Sequence, residues 1–354
     1  MPWLGQAWQR IQQRLADDRL PHALVIAGER GVGKRAFADA LARLRLCGRP
    51  VSGSLGLPVA CGQCKQCELT AAGSHPDVRV YAPEKSRMVK VSQVRELSAF
   101  AVASPQVAHH KVAIIDRADQ LNINAANALL KTLEEPQADT TLLLVQESGR
   151  PLLPTIRSRC QVVALPLPAM SEAQAWIERQ GRSADSGDGA SGGEVSSDGE
   201  VSSDGEASAG SDAIRRALLL SGGAPRLALE YLTGDFIGLR ETAFEAFRQF
   251  MKGQVPVTEA ARAFKALGLE ATLTLFEQWA ADLARLSAGG ESRDPDAADM
   301  LRFLAGRHPP WVAQRLLDAV RESRAAGVYN ASPELEASRL LFAWQALMPG
   351  RRAG

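Results

Sequence analysis

The sequence lacks any apolar run approaching the roughly 18 residues that a membrane-spanning helix needs. Its first stretch, MPWLGQAWQRIQQRLADDRL, has polar residues throughout and so lacks the apolar core of a signal peptide. It also lacks a strong charge of either sign, because 41 basic and 40 acidic residues leave a net charge of +1. We therefore expect a cytoplasmic protein that does not cross a membrane. A length of 354 residues predicts two or three domains.

Aromatic residues are absent from one segment, residues 181–212, which is built of Gly, Ser, Asp, Glu and Ala with few others. Its eight acids and one arginine give a net charge of −7, so the rest of the chain carries about +8. That mildly basic remainder is compatible with nucleic acid nearby. The hexapeptide GEVSSD occurs twice in tandem, from Gly193 and from Gly199. Such a composition cannot bury a core, so we predict a disordered insertion.

A glycine-rich stretch, GERGVGKR, begins at Gly28, after an apolar run and before a helix-like segment. Strand, glycine loop and helix in this order are the setting of a P-loop. Here Gly28, Gly31 and Gly33 would let backbone N–H groups converge on phosphate oxygens, and Lys34 would add a positive charge. These four residues are therefore candidate nucleotide-binding residues.

Two groups that an ATPase needs are missing from this pattern. A P-loop places Ser or Thr after its lysine to hold Mg²⁺, but here Arg35 follows, and a guanidinium cannot ligate a cation. The apolar run KVAII ends at Asp116 in the form of a Walker B segment, where Glu normally follows to polarise the attacking water. Arg117 stands in that place, and Asp119 is wrongly spaced for the task. With Asp116 as a fifth candidate nucleotide-binding residue, we predict a degenerate nucleotide site without hydrolysis, whose binding of ATP and Mg²⁺ is an open question.

Four of the five cysteines form one set, Cys47 followed by Cys61, Cys64 and Cys67 in the run CGQCKQC. Two-residue spacing lets neighbouring thiolates turn toward one ion, and four thiolates complete a tetrahedral Zn²⁺ shell. We predict structural zinc, because four cysteines leave no open position for catalysis. A redox CxxC pair, cysteines that fill a core, and an iron–sulfur cluster are the alternatives. His75 is a possible substitute ligand.

The run LLPTIRSRC at 152–160 means little by itself. A loop arginine such as Arg159 is usually a solvated charge. Cys160 has no histidine near it in sequence, which favours a small buried residue over a nucleophile.

From Asp235 onward, apolar residues recur at helical spacing, and this region is predicted to be all-helical.

Together, GERGVGKR, the four-cysteine set, NAANALLKTLEEP and TIRSRC resemble the delta-prime subunits of bacterial DNA polymerase III clamp loaders, which are AAA+ proteins. The likeness covers residues 1–180 and reaches Gly222–Arg226. Beyond Asp235 it rests on helical character and position only. The missing Ser or Thr and the missing Glu indicate delta-prime rather than the ATP-hydrolysing gamma/tau subunit.

The resemblance implies a fold. We expect an α/β AAA+ P-loop domain with a parallel sheet over residues 1–165, carrying a zinc module at 47–67. A small helical lid is expected over 166–234, interrupted by the acidic insertion at 181–212. An all-α collar, through which such subunits oligomerise, is expected over 235–354.

The resemblance also implies a function. Such a subunit belongs to the replicative DNA polymerase III holoenzyme, a DNA-directed nucleotidyltransferase, as part of a hetero-pentamer with gamma/tau and delta subunits. That assembly places the sliding clamp on primed DNA. In the family, the arginine of the SRC motif, here Arg159, is an arginine finger that acts in trans on the ATP site of a neighbouring gamma/tau subunit.

Two other hypotheses remain open on the sequence. The first is a self-sufficient AAA+ ATPase of the gamma/tau type, which Arg35 and Arg117 argue against. The second is a zinc-dependent nucleic-acid-binding module, which predicts salt-dependent DNA binding weakened by changes near Cys61–Cys67.

Overall fold

The computed structural model of the chain describes residues 1–53, 55–84, 88–147, 152–185, 203–326 and 332–348. The chain falls into two compact units, Met1–Ser183 with Ala224–Leu227, and Ala184–Gly223 with Ala228–Gly354. The division into three domains with boundaries near 165 and 234 stays a prediction. Among the described residues, no helix has both the length and the apolar character that crossing a bilayer requires.

A parallel sheet forms the centre of the first unit. The strands of this unit are β1 (Ala23–Gly28), β2 (Val51–Ser52), β3 (Pro58–Val59), β4 (Val78–Tyr81), β5 (Lys111–Ile115), β6 (Thr140–Glu147) and β7 (Gln161–Ala164). Five of them form one sheet in the order β4-β5-β6-β1-β7, and every adjacent pair is parallel. The short β2 and β3 pair separately and antiparallel. The central strands contain apolar runs, such as VAII in β5 and LLLV in β6, because both of their faces are buried.

Helices cover both faces of this sheet. They are α1 (Gly5–Ala16), α2 (Lys34–Leu46), α3 (Lys65–Ala71), α4 (Val91–Val102), α5 (Ile123–Glu134), α6 (Pro154–Arg157) and α7 (Met170–Asp185). Successive residues of β1 point to opposite faces: Leu24 packs in a core with Leu41 of α2, and Val25 in a second core with Leu97 of α4. This layered arrangement confirms the predicted α/β fold with a parallel sheet.

The second unit is all-helical in its described part. Its helices are α8 (Ser203–Leu220), α9 (Pro225–Thr233, whose first residues belong to the first unit), α10 (Phe236–Met251), α11 (Val257–Ala263), α12 (Gly268–Ser287), α13 (Ala298–Ala305), α14 (Trp311–Ala326) and α15 (Pro333–Gln345). The core is aromatic: Phe247 stacks on Trp279 at 4.8 Å between ring centroids, and the edge of Trp344 meets Phe247 at 5.5 Å. The predicted all-α character of this region is confirmed.

The two ends of the predicted acidic insertion at 181–212 lie in helices, since α7 extends to Asp185 and α8 begins at Ser203. Helix-favouring residues such as Glu206 and Ala207 lead directly into the apolar part of α8, which explains the helical C-terminal end. Residues 186–202, with most of the tandem repeat, lie outside the described residues. The disorder predicted for them stays a prediction.

A buried ion-pair network holds the second unit together. Arg240 of α10 is fully buried, and its guanidinium contacts the carboxylates of Asp294 and Asp296, the latter at 2.5 Å. Asp294 also accepts a hydrogen bond of 2.9 Å from the indole N–H of Trp279. Removing Arg240 would leave the buried carboxylate of Asp294 without its ion-pair partner, whereas the partly exposed Asp296 would keep Arg216 at 2.9 Å.

We expect Arg240→Met to lower the free energy of unfolding of this unit by about 3–5 kcal/mol, the usual cost of breaking a buried pair. The matched control is Arg248→Met on the same helix, whose partner Glu245 is exposed, and which should cost less than about 1 kcal/mol. Denaturant unfolding followed by tryptophan fluorescence measures both. Equal effects of the two substitutions would show that the buried network does not hold the unit together.

Candidate functional site

The P-loop joins β1 to α2 with the geometry that its glycines allow. Gly31 and Gly33 have φ of 80° and 106°, in the left-handed region that favours glycine. The ammonium group of Lys34 donates to the carbonyl oxygens of Gly28 at 2.8 Å and Glu29 at 2.7 Å. The predicted lysine and glycines therefore come together, with the lysine bonded to its own loop.

The chain's own side chains pack closely on this loop. A side chain at Gly33 would overlap Met1, and one at Gly31 would overlap Leu227. The indole N–H of Trp3 donates to a backbone carbonyl of the loop at 2.9 Å. Sequence patterns gave no signal for these contacts, because they join parts of the chain that are far apart in sequence.

Arg35 occupies the position after Lys34, where a P-loop carries the Ser or Thr that holds magnesium. Its Nη1 is 3.2 Å from a carboxylate oxygen of Asp116, the acid that follows β5, and its Nε is 2.9 Å from Asp39. The Arg35 guanidinium thus pairs with the Asp116 carboxylate, which would otherwise be free to face a magnesium ion. This arrangement agrees with a nucleotide site that has lost its metal-binding function.

The position after Asp116 is also altered. Arg117 adopts a left-handed conformation, with φ of 62°, and its Nη2 lies 3.9 Å from the carboxylate of Glu147. Asp119 accepts a hydrogen bond of 3.1 Å from the backbone N–H of Glu147. Burial lowers the pKa of Lys34, and the carboxylates of Glu147 and Asp119 oppose that shift. Residue 117, which in an ATPase would be the Glu that polarises the attacking water, is an arginine here, so this position offers no carboxylate.

The four predicted cysteines meet in one cluster. Their sulfur atoms all lie within 4.8 Å of one another. The Sγ atom of Cys47 is 3.6 Å from that of Cys61 and 3.9 Å from that of Cys64, and Cys61 and Cys67 are 4.0 Å apart. A tetrahedral zinc ion with Zn–S bonds of about 2.3 Å requires sulfur separations of about 3.8 Å. The cluster therefore fits a metal ion of this size.

Backbone hydrogen bonds and burial change the pKa values of the cluster's thiols. Backbone N–H groups of Gln63 and Cys64 lower the pKa of the Cys61 thiol. Although burial acts in the opposite direction, hydrogen bonds from backbone N–H groups of Cys67 and Gly48 lower the pKa of Cys64 to about 6. Burial raises the pKa of Cys67 to about 12, and a bound cation would deprotonate it. The lowered pKa values of Cys61 and Cys64 favour their thiolates, the form that binds metal.

His75, the possible substitute ligand, is occupied elsewhere. Its Nε2 lies 2.8 Å from the side-chain oxygen of Gln66, and its Nδ1 accepts from the backbone N–H of Asp77 at 3.0 Å. The carboxylate of Asp77 accepts backbone hydrogen bonds of 2.6–2.8 Å from residues 106–108. These contacts link α3 to the strand β4 and leave the four cysteines as the candidate ligand set.

Arg159 lies on the turn after α6, with its side chain 37% exposed. Its Nη2 is 2.6 Å from a carboxylate oxygen of Glu134, the last residue of α5, and its Nη1 donates to the carbonyl oxygen of Thr155 at 2.9 Å. Sequence patterns did not identify Glu134 as a partner. Burial raises the pKa of the neighbouring Cys160 to about 11, which agrees with a packed thiol rather than a nucleophile.

Comparison with known proteins gives a consistent result. The family model described as "DNA polymerase III, delta subunit" matches residues 3–169. The delta-prime subunit of DNA polymerase III from Pseudomonas aeruginosa is 33% identical over 307 residues, which cover 86% of this chain and 83% of that protein. Its counterpart from Escherichia coli is 34% identical over 246 residues, 69% of this chain and 64% of that protein.

A related subunit also matches. The tau/gamma subunit of DNA polymerase III from Haemophilus influenzae is 37% identical over 161 residues. These residues are 45% of this chain and 22% of that protein.

Proposed function

The chain belongs to the delta-prime family of DNA polymerase III subunits, and on that premise we propose that it is a clamp-loader subunit whose Arg159 completes the ATP site of a neighbouring gamma/tau subunit. The observation that carries this proposal is the exposed Arg159 guanidinium, in a chain whose own P-loop has Arg35 against Asp116. A subunit without a working site of its own can still serve a neighbour's site.

The physical basis is charge stabilisation. A guanidinium that reaches the transferring phosphoryl group offsets the charge that develops there, and such fingers are worth roughly 10³–10⁵ in rate in well-studied NTPases. Arg159 has the planar fork that suits two phosphate oxygens, and the short helix α6 positions it on the surface. The partners are then gamma/tau and delta subunits and, through the assembly, the sliding clamp and primer-template DNA.

The four-cysteine cluster has a structural role in this proposal. It would hold one zinc ion and thereby fix the loop between α2 and α3. All four ligand positions are filled by cysteine sulfur, so the ion would have no site for water or substrate.

We expect the isolated chain to show no steady ATP turnover, and Mg²⁺ to change its ATP affinity by less than about twofold, because the Arg35 guanidinium already pairs with Asp116. The variant Arg35→Thr restores a hydroxyl and frees that carboxylate, so its ATP binding should depend on Mg²⁺. Calorimetric titration with and without Mg²⁺ measures both proteins. Steady hydrolysis by the purified wild-type chain would instead support a self-sufficient ATPase.

The partners can be tested directly. The full chain, expressed with an affinity tag in its own host, should co-purify with gamma/tau and delta subunits. Recovery of the folded chain without either partner would contradict a role in a clamp loader. Salt-dependent DNA binding by the chain alone, lost on substitution of Lys65 beside the cysteines, would favour a nucleic-acid-binding module instead.

A further inference from the structure

Two packed helices fix the surroundings of Arg159. Ile156 of α6 is fully buried, in the same core as Leu129 and Leu133 of α5. Glu134, the last residue of α5, comes directly after Leu133, and Arg159 lies on the turn after α6. Because buried side chains are close-packed, this core sets the distance between the backbone segments that carry Glu134 and Arg159.

The Arg159 side chain is held at both of its terminal nitrogens. Its Nη2 forms an ion pair with the carboxylate of Glu134 at 2.6 Å. Its Nη1 donates to the carbonyl oxygen of Thr155 at 2.9 Å and lies 3.4 Å from the hydroxyl oxygen of Ser158. The two terminal nitrogens thus have different partners, and together these contacts fix both the position and the plane of the guanidinium.

Such contacts prepare an arginine to act in trans. A long exposed side chain has many rotamers, and ordering it against a phosphate costs conformational entropy. An arginine that its own chain already holds loses less freedom when it meets a neighbouring subunit's ATP, and it starts closer to the reactive geometry. The Glu134 side chain is 51% exposed, so solvent screens its charge and the guanidinium keeps its attraction for a polyphosphate.

We propose that Glu134 is a positioning residue for the Arg159 finger, an inference that rests on the function proposed above. Its carboxylate fixes the orientation in which the guanidinium meets the neighbouring subunit's phosphates. Glu134 acts on the arginine and does not itself contact those phosphates. Removing it should therefore slow hydrolysis at that one site without changing how tightly the site binds ATP.

The test uses loaders assembled from full-length subunits in which only the gamma/tau subunit next to this chain can hydrolyse ATP. With Glu134→Ala, kcat should fall about tenfold or more, because misplacing a catalytic group by about 1 Å can cost roughly 100-fold. The KM for ATP should stay within about twofold of the wild-type value, because the finger acts after ATP binds.

Two matched variants accompany this substitution. Glu134→Gln keeps a hydrogen-bond acceptor in the same place and should retain most of the rate. Glu135→Ala removes the next carboxylate along the chain, which is exposed and forms no ion pair with a residue that the structure describes. Its rate should equal that of the wild type.

A double-mutant cycle separates positioning from a structural effect. Glu134→Ala should lower the rate no further when Arg159 is already alanine, because the carboxylate acts only through the guanidinium. A further loss of rate in that background, a lower Tm of the Glu134→Ala subunit, or a failure of the loader to assemble would assign Glu134 a structural role and overturn the inference.

The outcomes also separate this inference from the proposed function. If Arg159→Ala hydrolyses ATP as fast as the wild type, Arg159 is not a finger, and the proposed function and this inference fail together. If Arg159→Ala is slow while Glu134→Ala is as fast as the wild type or faster, only the positioning role is overturned.

Discussion

A clamp loader reconstituted with Arg159→Ala should lose DNA- and clamp-stimulated ATP hydrolysis at the one gamma/tau site that this residue faces. The expected loss at that site is roughly 10³–10⁵ in rate, the range measured for arginine fingers. The variant subunit should fold and assemble normally, because an exposed arginine paired with Glu134 contributes little to stability. Total ATPase should fall less than clamp loading if every site must hydrolyse ATP before the clamp is released.

Two controls define this result. Arg159→Lys should not restore full activity, since an ammonium lacks the planar fork that meets two phosphate oxygens. Arg157→Ala removes an exposed arginine at the end of α6, two residues before Arg159, and should leave both rates unchanged. Equal loss in the two alanine variants would indicate a general electrostatic effect of this surface.

Substitution of a cysteine in the metal cluster should have the second large effect. The purified wild-type chain should contain one zinc ion, and Cys64→Ser should lose it, because a hydroxyl replaces one of four thiolates that lie within 4.8 Å of one another. Formation of structural zinc sites in zinc-finger peptides is worth about 10–16 kcal/mol, so the loop between α2 and α3 should loosen. Elemental analysis gives the metal content, and limited proteolysis reports the loop.

The fifth cysteine supplies the matched control. Cys160 lies outside the cluster, and Cys160→Ser should keep the metal and the protease resistance of the loop. A wild-type preparation that is folded, fully reduced and free of metal would contradict a structural metal site. Iron in place of zinc would support the cluster but correct the identity of its ion.

Local patterns predicted much of this fold and site. Apolar runs before Gly28 and before Asp116 indicated two strands, and the structure places β1 and β5 there, because such runs reflect strands with both faces buried. The cysteine spacing likewise predicted the four-sulfur cluster, since two-residue turns fix where neighbouring sulfurs point. The glycines of the P-loop and Lys34 lie in one loop, as their order in the sequence implied, and the loss of magnesium binding at Arg35 stays a prediction.

Contacts between distant segments could not be predicted in this way. Met1 and Leu227 on the P-loop, and Glu134 beside Arg159, depend on how the elements pack, which no local period encodes. The helical end of the acidic segment was missed for a related reason. Its polar composition indicated disorder, but this end continues directly into the apolar part of α8 and is therefore helical.

The most direct test isolates the one site that this chain is proposed to complete. A loader is assembled in which only the gamma/tau subunit next to this chain can hydrolyse ATP, and single-turnover hydrolysis is measured on primed DNA with the clamp present. With the wild-type chain, hydrolysis should proceed at the stimulated rate, and with Arg159→Ala it should fall to the unstimulated rate. Equal rates from the two correctly assembled loaders would contradict the assignment of Arg159 as an arginine finger in trans.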